Sequence, residues 1–142
     1  MRLTVRRVNG ISVLSVEGEL TVASALPFLR QARHIVAVDL APRVAVDLSQ
    51  LHRIDSSGCA GLLALRRDVQ RLRGSICVFG LVPEVRLLLE VMQAHVIFDI
   101  EPDLAGAMEL LSAQAGAGEG AGAPRWASFA ATRDPVERPM AS

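Results

Sequence analysis

Residues 47–62 read Asp47-Leu48-Ser49-Gln50-Leu51-His52-Arg53-Ile54-Asp55-Ser56-Ser57-Gly58-Cys59-Ala60-Gly61-Leu62. Just ahead of them, Arg43-Val44-Ala45-Val46-Asp47-Leu48 is too short and too continuously apolar for a half-exposed strand, so it is expected to be buried on both faces. A short connection follows. An acid and a doublet of small hydroxyls then open a helix that runs from Ser56 to about Arg73, where Gly74 supplies a C-terminal stop. Leu62, Leu65, Val69 and Leu72 fall on one stripe of that helix. Arg66, Arg67, Asp68 and Arg71 lie mostly off it and, with Arg73, read as a solvated face.

Working outward, Leu3, Val5 and Val8 precede Asn9-Gly10, after which Ile11, Val13 and Val16 alternate with Ser12 and Ser15. Asn-Gly between alternating segments predicts a hairpin, because both residues tolerate the positive φ of a type I′ turn. Residues 24–37 carry Leu26, Leu29, Ala32 and Val36 at helical spacing, with Ser24 as a candidate cap and Pro27 tolerable near the first turn. Downstream, Ser75 to Gly80 reads as another short buried strand. Pro83 then starts a third helix with Val85, Leu88, Leu89 and Met92 on its apolar side. Val96-Ile97-Phe98 reads as a last strand. Asp103 to about Ala113 reads as a final helix with Leu104, Ala107, Met108 and Leu111 inward. Strands alternating with helices predict an α/β sheet that is mainly parallel, the opening hairpin adding antiparallel pairing.

The chain's 142 residues and 51% hydrophobic content fit one domain with an ample core. Fifteen Arg balance fifteen Asp plus Glu, with no Lys, and that zero net charge argues against nucleic acid bound by bulk electrostatics. Cys59 and Cys77 sit in apolar surroundings without CxxC spacing, as small buried hydrophobes of a reducing compartment. No basic segment followed by an apolar one opens the sequence, and no apolar run approaches the ~18 residues that span a bilayer, so a cytoplasmic protein without membrane insertion is expected. From Ala115 the Gly/Ala/Pro-rich composition cannot offset its ordering entropy, which predicts a flexible tail over residues 114–142 with Trp126 and Phe129 as its aromatic exceptions.

The run Val46-Asp47-Leu48, then Ile54-Asp55-Ser56-Ser57-Gly58, closely resembles the signature of STAS domains, and most closely that of bacterial anti-sigma factor antagonists. Gly18-Glu19-Leu20 resembles the family's Gly-Glu-Leu-Asp segment at the end of the second strand, with Thr21 standing where Asp is common. The resemblance implies a single STAS-like α/β domain over residues 1–113, a mixed, mostly parallel sheet of about five strands flanked by about four helices, followed by a disordered tail over 114–142. In the antagonist branch the first hydroxyl after the acid is phosphorylated by an anti-sigma factor that is itself a serine-protein kinase. Carried over residue by residue, this places the phosphoacceptor at Ser56, with Asp55, Ser57, Gly58, Cys59 and Thr21 completing the partner-binding set. The unphosphorylated antagonist binds the anti-sigma factor and frees the sigma factor, whereas the phosphorylated form does not bind. The implied role is a non-enzymatic regulator of transcription by partner switching, with no cofactor and no metal.

The chemistry suits these residue types. A helix N-terminus presents unpaired N–H groups and the positive end of its macrodipole, so Ser56 or Ser57 can cap it and a phosphate can be accommodated there. Gly58 is expected to let a partner approach the backbone closely. The plainest alternative is that Ser56-Ser57-Gly58 is only a helix cap. A second function class, motivated by Thr21, is a non-phosphorylated STAS scaffold subunit of a signalling or lipid-transport complex. A third, a small hydrolase using Ser56 or Cys59, would need an oxyanion hole and an orienting carboxylate, and no Gly-x-Ser-x-Gly elbow exists. His34, His52 and His95 fall in different elements without metal-ligand spacing. No feature of the sequence sets an oligomeric state.

Overall fold

Asn9 and Gly10 both take positive φ, 52° and 78°, as the hairpin requires, and they join β1 (Arg2–Val8) to β2 (Ile11–Leu20) with Val8 directly opposite Ile11. The computed structural model describes residues 1–119, with side chains as far as Gln114. After the hairpin come α1 (Ala25–Val36), β3 (Arg43–Asp47), β4 (Leu51–Ile54), α2 (Ser56–Arg71), β5 (Ser75–Phe79) and α3 (Pro83–Val91). A single 3₁₀ turn at Ala94–Val96, β6 (Asp99–Glu101) and α4 (Leu104–Glu119) complete the described chain. The six-stranded sheet has the order β1-β2-β3-β5-β6, with β4 off this path against the end of β2. Only β1 is antiparallel to its neighbour; the other pairings are parallel and need the crossover helices between them.

Strand alternation sorts the core into two layers. Leu14 and Val16 of β2, Val44 and Val46 of β3, and Ile76 and Val78 of β5 pack with Phe28 and Leu29 of α1, Leu62, Leu65 and Val69 of α2, and Val85 and Leu89 of α3. The opposite face, Ile11, Val13, Ala45, Cys77 and Phe79, packs against Ala107 and Leu111 of α4. Both faces of β3 and β5 are therefore covered, which is why those strands read as unbroken apolar runs. Each such side chain fully removed from water contributes about 1.5–3 kcal/mol.

The two ends of α2 are shaped by its neighbours. At its C-terminus the Gly74 N–H donates to the Val69 carbonyl at 2.9 Å and the Arg73 N–H to the Gln70 carbonyl at 2.9 Å, a Schellman pair. The left-handed residue is Arg73, at φ 62°, rather than the expected Gly74. Gly74 is required for another reason: a Cβ there would lie 2.1 Å from the Pro42 carbonyl oxygen, so the chain could not enter β5 beside the start of β3.

Several expectations are corrected. The sheet has six strands, because Leu51–Ile54 is not a plain connection but pairs with the end of β2. Val96-Ile97-Phe98 is not a strand: Phe98 turns into the core, and the residues that pair with β5 are Asp99–Glu101. Leu26 points outward, the inward role in α1 being taken by Phe28. Arg66 is half-buried near Asp99 instead of solvated. α4 continues past Ala113 to Glu119, and Gln114 is buried. The remainder of the expected tail, with Trp126 and Phe129, lies outside the described residues.

Candidate functional site at the start of α2

The site grows out of the far end of β2. A register shift between Gly18 and Glu19 ends its pairing with β3's frame, and Glu19 and Leu20 then pair in parallel with Arg53 and Ile54 of β4. The Asp55 N–H donates to the Leu20 carbonyl at 3.3 Å, so the chain leaves β4 locked to the end of β2 and turns at once into α2.

Asp55, not either serine, caps the helix. Its backbone is extended, with φ −121° and ψ −173°, and its Oδ1 accepts from the Gly58 N–H at 2.9 Å. Its Oδ2 accepts from the Val22 N–H at 3.0 Å, in the loop between β2 and α1. One carboxylate therefore ties two segments together. The Gly58 N–H bond holds the carboxyl below the usual carboxylate range; partial desolvation opposes this, and the Val22 and Ser57 amides and the Arg53 charge reinforce it.

Because Asp55 occupies the Ser57 and Gly58 amides, those donors are not left open to a phosphate, contrary to the expected cradle. Freed from capping, Ser56 is exposed, and its hydroxyl has no hydrogen-bond partner among the described residues. Ser57 is half-buried.

Gly58 and Cys59 lie beneath this surface. A Cβ on Gly58 would sit 1.9 Å from the Leu20 carbonyl oxygen and 2.9 Å from Ile54 Cγ1, so the glycine seats the first turn of α2 on the β2 end rather than opening the backbone to a partner. Cys59 is fully buried, and burial pushes its thiol up. Burial, with Asp99 and Glu101 nearby, pushes the Cys77 thiol up to about 12. Neither is a ready nucleophile.

Thr21 shapes the adjoining loop through its backbone. Its carbonyl accepts from the Ser24 and Ala25 amides at 3.0 and 2.7 Å, and its own N–H donates to Ser24 Oγ at 2.9 Å. The Ser24 hydroxyl donates to the Glu19 carbonyl at 2.9 Å, so Ser24 braces this loop instead of capping α1 with its side chain. The fold thus brings Thr21, Asp55, Ser56 and Ser57 to one edge, with Gly58 and Cys59 as their support. The sequence reading missed Val22 and Leu26, exposed apolar residues on the same edge; Val22 is joined to Asp55 by a backbone amide, which no side-chain pattern reveals.

Among the described residues no group of three or more His, Cys, Asp or Glu side chains is placed to hold a metal ion, and no helix is long and apolar enough to cross a membrane.

A family model for the STAS domain matches residues 2–107, and the chain belongs to that family. It is 27% identical over 101 residues to BtrV of Bordetella bronchiseptica, a proposed anti-sigma factor antagonist, spanning 70% of this chain and 85% of that protein. The fold resembles the crystal structure of an anti-sigma factor antagonist from Mycobacterium paratuberculosis, with TM-score 0.70, 24% identity and coverage of 78% of this chain and 93% of that one. It also resembles the Bacillus cell fate determinant SpoIIAA in its phosphorylated form, with TM-score 0.57, 14% identity and coverage of 76% and 97%.

Proposed function

We propose that this protein is an anti-sigma factor antagonist of the cytoplasm. Unphosphorylated, it binds an anti-sigma factor that is a serine kinase and so releases a sigma factor; phosphorylation of Ser56 ends that binding. The observation that carries this reading is the division of labour at the start of α2. Asp55 does the capping, which leaves the Ser56 hydroxyl exposed and unbonded at a rigidly held position. The names of the relatives point the same way: BtrV is proposed to be such an antagonist, and SpoIIAA has been solved phosphorylated.

Phosphorylation adds about −1.5 to −2 charges at neutral pH. With the Ser57 and Gly58 amides engaged by an ionised Asp55, the phosphate stays at the surface, beside another negative charge. Burying such an uncompensated charge in an interface costs several kcal/mol, enough to abolish micromolar binding. The fold needs no rearrangement for this switch, because Ser56 contributes no bond to it.

The test is a pull-down with wild-type, Ser56→Ala and Ser56→Asp baits. The expected result is an ATP-binding serine kinase retained by the first two and lost from the third, and phosphate placed on Ser56 when that kinase is incubated with ATP and the wild-type chain. Equal retention of one partner by all three baits, with no phosphate on Ser56, would instead favour a constitutive scaffold.

A further inference from the structure

α1 and α2 lie side by side and start from the same edge of the sheet. A Cβ at Gly61 would meet the Ala25 carbonyl at 3.6 Å and the Phe28 ring at 3.7 Å, and two turns further along Arg33 is ion-paired with Asp68. The helices therefore run in the same direction, with residue 25 abreast of 61 and residue 33 abreast of 68. Their inner faces enter the core, which leaves one continuous outward face.

That face is graded along its length. At the end nearest Ser56 it is apolar: Val22 is 75% exposed, Leu26 is 59% exposed, and Ala60 is exposed one turn beyond Ser56. One turn past Leu26 stands exposed Arg30, and two turns past Ala60 stands exposed Arg67. Arg33 and Arg71 follow, both paired with Asp68. Together α1 and α2 carry five arginines, Arg30, Arg33, Arg66, Arg67 and Arg71, against the single acid Asp68, a surplus of +4 in a chain whose net charge is zero.

We infer that the outward face of α1 and α2 is a docking surface for an acidic amphipathic segment of a partner protein, its apolar side chains on Val22, Leu26 and Ala60 and its carboxylates on Arg30 and Arg67. Charge complementarity selects this occupant. A second copy of the chain would set arginine against arginine along the whole face. An anionic lipid surface fits less well, because the apolar residues occupy only one end, and Asp68 already engages two of the arginines. The inference rests on the proposed switch only for its regulation: a phosphate on Ser56 would stand at the apolar end and repel an acidic segment, while the surface itself is independent of that event.

The test uses the ¹⁵N-labelled full chain, followed by amide resonances, with two synthetic helical peptides of equal length, one of Leu and Glu and the other of Leu and Lys. The Leu/Glu peptide is expected to shift Leu26, Arg30, Ala60 and Arg67 selectively, to bind more weakly as salt rises, and to lose about tenfold in affinity to the Arg30→Glu/Arg67→Glu variant. Leu26→Ser should also weaken it. The inference is overturned if both peptides act alike or shift other regions. It is equally overturned if phosphatidylglycerol vesicles displace the acidic peptide from these residues, or if the chain alone shows the same shifts on concentration. Weaker binding to Ser56→Asp would support surface and switch together; unchanged binding with the same mapped residues would keep the surface and discard the switch.

Discussion

The two ends of α2 solve similar steric problems and have opposite consequences. Gly74 passes beside the Pro42 carbonyl and Gly58 beside the Leu20 carbonyl, each so close that a Cβ would lie 2.1 and 1.9 Å from the oxygen. At the C-terminus the helix closes upon itself, its last carbonyls bonded by the Arg73 and Gly74 amides. At the N-terminus the closing group comes from outside the helix, the Asp55 side chain, which also reaches across to Val22. The difference shows how a helix terminus becomes available for signalling: an acid one residue earlier does the structural task, and the serine is released from it.

The largest effects should come from the two glycines. Gly58→Ala and Gly74→Ala each force backbone apart and should cost about 3 kcal/mol in chemical denaturation. The comparison predicts that they part company in binding: the folded fraction of Gly74→Ala keeps wild-type partner affinity, whereas Gly58→Ala, which shifts the turn carrying Ser56, does not. Matching affinities for the two would erase the distinction between the ends. Next, Ser56→Asp should weaken partner binding at least about tenfold, roughly 1.4 kcal/mol, with an unchanged melting temperature. A lowered melting temperature would mean that Ser56 has a structural task after all. Arg73→Gly should stabilise the fold by about 1 kcal/mol by relieving the left-handed backbone, and leave binding untouched.

The smallest effect near neutral pH is expected for Asp55→Asn, which keeps one of two acceptors; acid unfolding separates it from wild type. The folded carboxyl titrates below its unfolded value, so its stabilisation is complete above about pH 4 and is lost as the pH falls through the depressed folded value. Circular dichroism should show a shallower acid limb for the variant. Identical limbs would show that the charge of Asp55 does not matter to the cap.

What was legible in the sequence was local. Asn9-Gly10 fixed a turn from two adjacent residues, and the apolar periods of β3, β5, α3 and the core stripe of α2 follow from burial. The missed features depend on distant partners. Leu51-His52-Arg53-Ile54 is too short and too polar in its middle to announce a strand, and becomes one only because the end of β2 lies alongside it. Asp99-Ile100-Glu101 outcompetes the more apolar Val96-Ile97-Phe98 because its register with Cys77 and Phe79 leaves Phe98 free for the core. At the site, Ser56 and its neighbours were located correctly by the motif. That Asp55 caps, and that Gly58 faces inward, could only come from the approach of Leu20 and Val22, residues more than thirty positions earlier in the chain.

The divided pairing of β2 has a kinetic consequence. Residues 12–15 of this strand belong to the main sheet beside β3, while residues 18–20 reach past it to meet β4. The second contact closes a loop of more than thirty residues containing α1 and β3, so its entropic cost falls once those elements are in place. The platform under Ser56 is therefore among the last parts to assemble. A chain still emerging from the ribosome carries the serine well before it carries the surface that presents it, and a newly made copy cannot engage a partner until it has folded.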